Sequence, residues 1–308
     1  MIKRTLYFGN PSKLSVEFSQ LKISLKSREG KPKISMVPIE DIGVLVLDNS
    51  QITITHAVFE KLLDNNAAII TCNAKHNPTG LLLNLDGNSV QTERFSSQIK
   101  ATAPLKKQLW KQTIQQKIIN QASVINQYTD KNTDNMLYWA RSVKSGDTLN
   151  HEARAAAYYW KILFEVTDFK RDRYGLFPNN YLNYGYAILR AVVSRALVSS
   201  GLLPSIGIHH RNRYNSFCLS DDIMEPYRPF VDKHILDIME KHPREEEITP
   251  TIKAELLKIP VLDMIISNQQ SPLMVGVSQT TASLNKCFEG TQRKLVYPYF
   301  SNNRCLII

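Results

Sequence analysis

The chain has 308 residues, 43% of them hydrophobic and 21% charged, which excludes a disordered polymer and allows one large domain or two ordinary ones. Its 38 Lys and Arg outnumber 28 Asp and Glu, giving a net charge of +10 and a pI near 9.3, so a polyanionic partner, most simply nucleic acid, is favoured over a plain basic protein. Four scattered cysteines (Cys72, Cys218, Cys287, Cys305), an N-terminus without a signal peptide and no membrane-length apolar run argue against a zinc or disulfide framework and a membrane span, and point to the cytoplasm.

Residues 1–90 read as a small, mostly antiparallel β domain. Short apolar runs at Thr5–Phe8, Leu21–Leu25, Val44–Leu47 and Ile52–Ile54 alternate with turn residues. A helix is expected over His56–Asn65 and a strand over Ala67–Thr71. The polar segment Asp86–Pro104 reads as the connection, with the linker set at 91–104. Beyond it the pattern turns helical, over 105–290, with a tail at 291–308. Leu105–Tyr128 places Leu109, Thr113, Lys117 and Asn120 along one side and Ile114, Ile118, Ala122 and Ile125 along another. Asn150–Val166 is a helix with Asp147, Thr148 or Asn150 as cap. Tyr181–Ser200 is a long apolar helix stopped by Gly201. Asp221–Lys241 is one helix strained by Pro226 and Pro229, and Ile252–Asn268 is helical with a break at Pro260. The fold class is α+β.

Three stretches carry chemistry. In the helix start NHEARAAAYYW, Glu152 aligns with Ala156, Tyr159 and Trp160 on a face expected to be buried, where a carboxylate needs a metal ion or an arginine. For Glu152 alone, a structural ion pair is the simpler account. In Gly207-Ile208-His209-His210, adjacent side chains diverge, so at most one histidine serves a given site. In the run from Phe217 to Pro229, Asp222 and Glu225 share one helix face. Acids in a first turn are ordinary helix-dipole chemistry, but a pair behind a histidine exceeds what that requires. Carboxylate, imidazole and carboxylate from three elements suit Mg²⁺ or Mn²⁺ and in-line displacement at phosphorus.

The stretch from Pro38 to Leu47, the helix start NHEARAAAYYW, the run NYLNYGYAILRA and the block GIHHRNRYNSFCLSDDIMEPYRP, in this order, resemble the CRISPR-associated integrase, the larger of the two universal adaptation proteins (the "Cas-one" family), in its type II branch. The resemblance runs over about residues 1 to 300. It implies a β-sandwich-like N-terminal domain that builds a homodimer and an all-helical C-terminal domain that carries a metal site. On this chain the implied ligands and catalytic residues are Glu152, His210 and Glu225. Asp222 is the further acid beside the site, and His209 is the departure from the family pattern. Implied partners are prespacer DNA, the CRISPR repeat, a second copy of the chain, the small companion adaptation protein and other type II adaptation proteins.

Phosphate contacts are expected from Lys106, Lys107, Lys111 and Lys117, because Lys100–Lys131 holds six lysines against one acid, Asp130. Arg173 and Tyr186 are weaker candidates. The expected activity is metal-dependent joining of a DNA 3′-hydroxyl to a CRISPR repeat by transesterification. The rivals are a structure-selective DNA nuclease and a non-catalytic nucleic-acid scaffold.

Overall fold

A computed structural model describes residues 3–25, 33–164, 169–172 and 175–301. Strands β1 (Arg4–Phe8), β2 (Ser12–Glu17), β3 (Gln20–Leu25), β4 (Lys33–Pro38), β5 (Ile42–Leu47) and β6 (Thr53–Ile54) are followed by helix α1 (His56–Asp64) and strands β7 (Ala68–Cys72) and β8 (Pro78–Leu82). They form two four-stranded sheets, in the orders β1-β5-β7-β8 and β4-β3-β2-β6. Leu14, Leu21, Ile42, Leu45, Val58 and Ile69 fill the space between them, a sandwich-like core.

The pairing is more mixed than the alternating runs predict. β1 and β7 both run parallel to β5, and β6 runs parallel to β2. Parallel neighbours need a crossover, and α1 supplies the one between β5 and β7. β5 is buried on both faces: Leu45 faces the sandwich, while Val44 and Val46 join the helical core. That double burial explains its unbroken apolar run.

The C-terminal region is helical: α2 (Gln91–Lys100), α3 (Ala103–Tyr128), α4 (Asp134–Ser142), α5 (His151–Leu163), α6 (Asn179–Ser199), α7 (Cys218–Met224), α8 (Arg228–Lys241), α9 (Pro250–Leu256) and α10 (Leu273–Phe288). The segment read as a linker is the helix α2. Its Asn88 and Arg94 neighbourhood closes the end of α6: Asn88 Nδ2 donates to Ser199 O at 3.0 Å and Arg94 to Ser200 O at 3.0 Å. These are carbonyls that a helix end leaves without partners. α6 is buried almost all round and forms the axis of this region.

The helix expected through Asn268 gives way to a hairpin of β9 (Asp263–Ile266) and β10 (Gln269–Pro272). Ser267 and Asn268 both have positive φ, 51° and 62°, the condition for a tight two-residue hairpin turn. The single helix expected over Asp221–Lys241 is two, α7 and α8, joined by a 3-10 turn over Glu225–Tyr227. Pro226 and Pro229 stand at the starts of the new segments, where a missing N–H costs nothing. Residues 291–301 pack against the helical region. Tyr297 and Phe300 are buried, and Phe300 stacks on Phe230 at 4.1 Å. The two regions are tied by a buried pair, Lys253 Nζ to Asp48 Oδ2 at 2.8 Å. Among the described residues no helix is long and apolar enough to cross a membrane.

Candidate functional site

α5 begins at a left-handed residue, Asn150 (φ 54°), and Asp147 serves as the cap: its two carboxylate oxygens accept from His151 N at 3.0 Å and Glu152 N at 2.9 Å. The buried face of α5 is His151, Ala155, Tyr159 and Leu163, one position off the predicted line. Glu152 therefore stands at the rim of the core, turned toward α3. What it meets there is neither arginine nor a bare acid, but Lys117. The lysine is on the side of α3 shared with Leu109, Thr113 and Asn120, all fully buried. Lys117 Nζ lies 2.7 Å from Glu152 Oε1 and 2.5 Å from Glu225 Oε2.

Glu225 opens the proline-bounded turn between α7 and α8 and is only 5% exposed. Its other oxygen lies 2.9 Å from Arg228 Nε. Both contacts of Glu225 are ionic pairings rather than well-aligned hydrogen bonds. Burial alone would push this carboxyl up; Arg228 and Lys117 overcome that and hold it down, at about 2. Burial likewise opposes the Lys117 charge, and Glu225 and Glu152 restore it, leaving the ammonium more basic than usual.

The histidines are separated by their anchors. Asp222 is fully buried and accepts the backbone N–H groups of Ile208 (2.7 Å), His209 (2.9 Å) and His210 (3.2 Å), together with His210 Nδ1 at 2.6 Å. With Nδ1 donating to the carboxylate, Nε2 keeps its lone pair whenever the ring is neutral. The hydrogen bond that His210 donates to Asp222 raises the His210 pKa, against the pull of burial. The chain can fold this closely around Asp222 because residue 207 is glycine; a Cβ there would lie 2.4 Å from His210 O and 2.7 Å from Asp222 Oδ2. His209 goes elsewhere, stacking flat on Trp110 at 4.1 Å with an interplanar angle of 1°, and burial lowers its pKa.

Glu152 and Glu225 are thus brought together, and His210 lies near enough for both to act on its charge. Among the described residues no three His, Cys, Asp or Glu side chains are gathered as a ready metal cage. Where the two glutamates approach, the Lys117 ammonium lies between them. The donor types nonetheless fit a hard divalent ion: carboxylate oxygens and one imidazole nitrogen, Nε2, whose lone pair is available in the neutral ring.

Two of the expected DNA contacts fall elsewhere. Lys117 is buried at the site instead of on a solvated face. Tyr186 is 7% exposed, its hydroxyl donates to Asp232 Oδ1 at 2.5 Å and its ring lies under Arg228 at 4.5 Å, so it offers no stacking surface to a base. Arg173 lies outside the described residues. Lys106, Lys107 and Lys111 are at least partly exposed. Lys106 joins His210, Arg211 and Arg213 around a cleft of about 480 Å³ that no acid lines. Sequence reasoning missed Arg228 as a partner of Glu225, although a cation three residues after an acid on a helix is a readable signal.

A family model described as "CRISPR associated protein Cas1" matches residues 6–258. The chain is 34% identical over 284 residues to the CRISPR-associated endonuclease Cas1 of Neisseria meningitidis serogroup C, covering 92% of this chain and 91% of the relative. Its fold is similar to that of a casposase bound to its integration product (TM-score 0.78, 20% identity, 96% of this chain and 92% of the other). It is also similar to a chain of a Cas6-RT-Cas1–Cas2 complex (TM-score 0.73, 17% identity, 97% of this chain and 36% of the other).

Proposed function

The chain belongs to the CRISPR-associated Cas1 family, and from that premise we propose that it is a divalent-metal-dependent DNA integrase of CRISPR adaptation. A terminal 3′-hydroxyl of prespacer DNA attacks a phosphodiester at the edge of a CRISPR repeat. One P–O bond forms to the phosphate on the repeat's 5′ end as the bond to the flanking strand's 3′-oxygen breaks, that oxygen leaves with a proton, and no covalent enzyme intermediate is needed. With water as nucleophile the same site would cut, the endonuclease activity that the name of the Neisseria relative carries.

The observation that carries this reading is the convergence of Glu152 and Glu225, from α5 and from the turn before α8, on one ammonium beside the His210 imidazole, whose Nδ1 is held by Asp222. Glu152, Glu225 and His210 Nε2 would hold Mg²⁺ or Mn²⁺, which when bound supplies Lewis-acid stabilisation of charge at the phosphate. The protein's own groups set the stage. Asp222 fixes the orientation and tautomer of His210. Arg228 keeps Glu225 ionised. Lys106, Arg211 and Arg213 line an acid-free cleft beside His210 and offer positive charge to strand phosphates.

The reading includes assembly: a homodimer built by the β region, two such dimers around the small companion adaptation protein, and contact with other type II adaptation proteins, all in the cytoplasm. The Cas1–Cas2 complex named for one fold neighbour supports the companion.

The test is strand joining in vitro, with 3′-hydroxyl prespacer, repeat DNA, Mn²⁺ and the companion protein. Wild type should give joined product. Glu152→Ala and His210→Ala should each reduce it by roughly 10²–10³-fold, the scale for losing transition-state charge stabilisation; His209→Ala should be milder. Cutting without joining favours the nuclease, and a fully active Glu152→Ala favours the scaffold. A stronger effect at His209 would make that imidazole the ligand in place of His210.

A further inference from the structure

Lys117 is a full charge in a place where an unpaired charge is costly. It is tolerated because two acids face it at 2.7 and 2.5 Å, Glu152 and Glu225. Arg228 lies against the remaining oxygen of Glu225. Two carboxylates and two cations make the cluster electrically balanced as it stands. A divalent ion on the same carboxylates would leave it strongly positive, with an ammonium pressed against the very oxygens the ion needs. One cation has to yield. Arg228 is the less free to do so: its guanidinium is a rigid plane lying over the Tyr186 ring at 4.5 Å. Lys117 is a point charge on a flexible stem, and its partner Glu152 has a side chain 26% exposed, so the cluster opens to solvent on the Glu152 side. A displaced ammonium needs a new anion, and a DNA phosphate is the anion that the proposed reaction brings.

We propose that Lys117 couples loading of the divalent ion to the arrival of DNA: its ammonium holds the Glu152–Glu225 pair in the free protein and passes to a phosphate oxygen when ion and DNA bind together. This rests on the integrase reading and adds to it an order of events. The free protein binds the ion weakly, and each ligand strengthens the other by the same factor, as linkage requires. Idle protein is thereby kept from carrying a loaded hydrolytic site.

The experiment is Mn²⁺ binding, by calorimetry and by the electron paramagnetic resonance of free Mn²⁺. It uses wild type, Lys117→Met, Lys117→Gln and Lys117→Arg, each with and without a 3′-overhang duplex ending in a non-reactive 3′-deoxy nucleotide. For wild type, the duplex should tighten Mn²⁺ binding by at least about tenfold. In the two neutral variants the free protein should bind Mn²⁺ about 10- to 100-fold more tightly than wild type, because a repelling unit charge has gone. The enhancement by DNA should then shrink. Lys117→Arg should stay on the wild-type side of this difference. If one neutral variant does not fold, the other carries the comparison, and Mn²⁺ should raise its melting temperature more than it raises that of wild type. Neutral variants that bind Mn²⁺ no more tightly than wild type, or a duplex that leaves wild-type Mn²⁺ affinity unchanged, would overturn the proposal. Strand joining by wild type is scored separately: joined product without coupling removes only the role of Lys117, whereas coupling without joined product removes the integrase reading and leaves the switch.

Discussion

Two buried acids flank Arg228, and the chain settles them in opposite ways. Glu225 faces cations on both oxygens, Arg228 at 2.9 Å and Lys117 at 2.5 Å, and is held ionised, at about 2. Asp232, 1% exposed, is met by neutral hydroxyls, Tyr159 at 2.9 Å and Tyr186 at 2.5 Å. Burial pushes Asp232 up to about 7, with the two tyrosine hydrogen bonds, and after them the charges of Arg228 and Arg171, offsetting only part of the cost. A cation fixes a negative charge and leaves it available as a ligand; a hydroxyl anchors a carboxyl without insisting on its charge. The first acid belongs to the chemistry. The second is a strut joining α5, α6 and α8, and the Tyr186 ring beneath Arg228 connects the two.

That contrast can be broken by removing one partner from each acid. Arg228→Met leaves Glu225 with Lys117 alone and should cost about 2–3 kcal/mol in denaturant unfolding. Tyr159→Phe should cost about 1 kcal/mol, because Asp232 can take up a proton. Equal losses would mean that both acids are held in the same way. The pH dependence sharpens the point. Glu225, with its pKa lowered, contributes stability that is present above pH 4.5 and lost as pH falls toward 2. Asp232, with its pKa raised, works the other way: between the ordinary 3.8 and about 7 the folded protein keeps a proton that the unfolded chain has released, so its cost grows as pH rises. The stability of Asp232→Asn relative to wild type should therefore climb by about 1 kcal/mol per pH unit through that window and level off above it. A flat difference would erase the contrast. The smallest effect lies outside both clusters. Lys106, Lys107 and Lys111 replaced by Ala should weaken DNA binding without sequence preference, and the salt slope should fall by roughly 0.9 for every phosphate that one of these lysines neutralises. An unchanged slope would make that part of α3 an ordinary solvated face.

The acids and the histidine are legible in the sequence because motif and helical spacing place them. So are α3, α6 and β5, each carried by a long apolar pattern. Lys117 reads as a surface cation for a physical reason. The stripe Leu109, Thr113, Lys117, Asn120 is visible, but a lysine is discounted from a core by default, and only the facing acids of α5 and the 225 turn reverse that judgement. The hairpin at 263–272 is hidden because a short apolar run suits strand or helix equally. α2 reads as a linker because its polar residues do their work against the carbonyls ending α6, partners far off in the chain. Gln98 is fully buried and bonds Leu203 and Ile206. Parallel pairing in the first sheet likewise depends on crossovers that local sequence does not display.

Asn120 gives the site a history as well as a shape. Its Nδ2 donates to Pro226 O at 2.7 Å and to Pro298 O at 3.0 Å, so one amide clasps the turn that presents Glu225 to a segment made long afterwards. During synthesis the acids and the histidine leave the ribosome before that second strap exists. A chain made as far as Arg228 therefore carries Glu152, His210 and Glu225 with Asn120 bound to the turn alone, and the last segment arrives to complete the clasp.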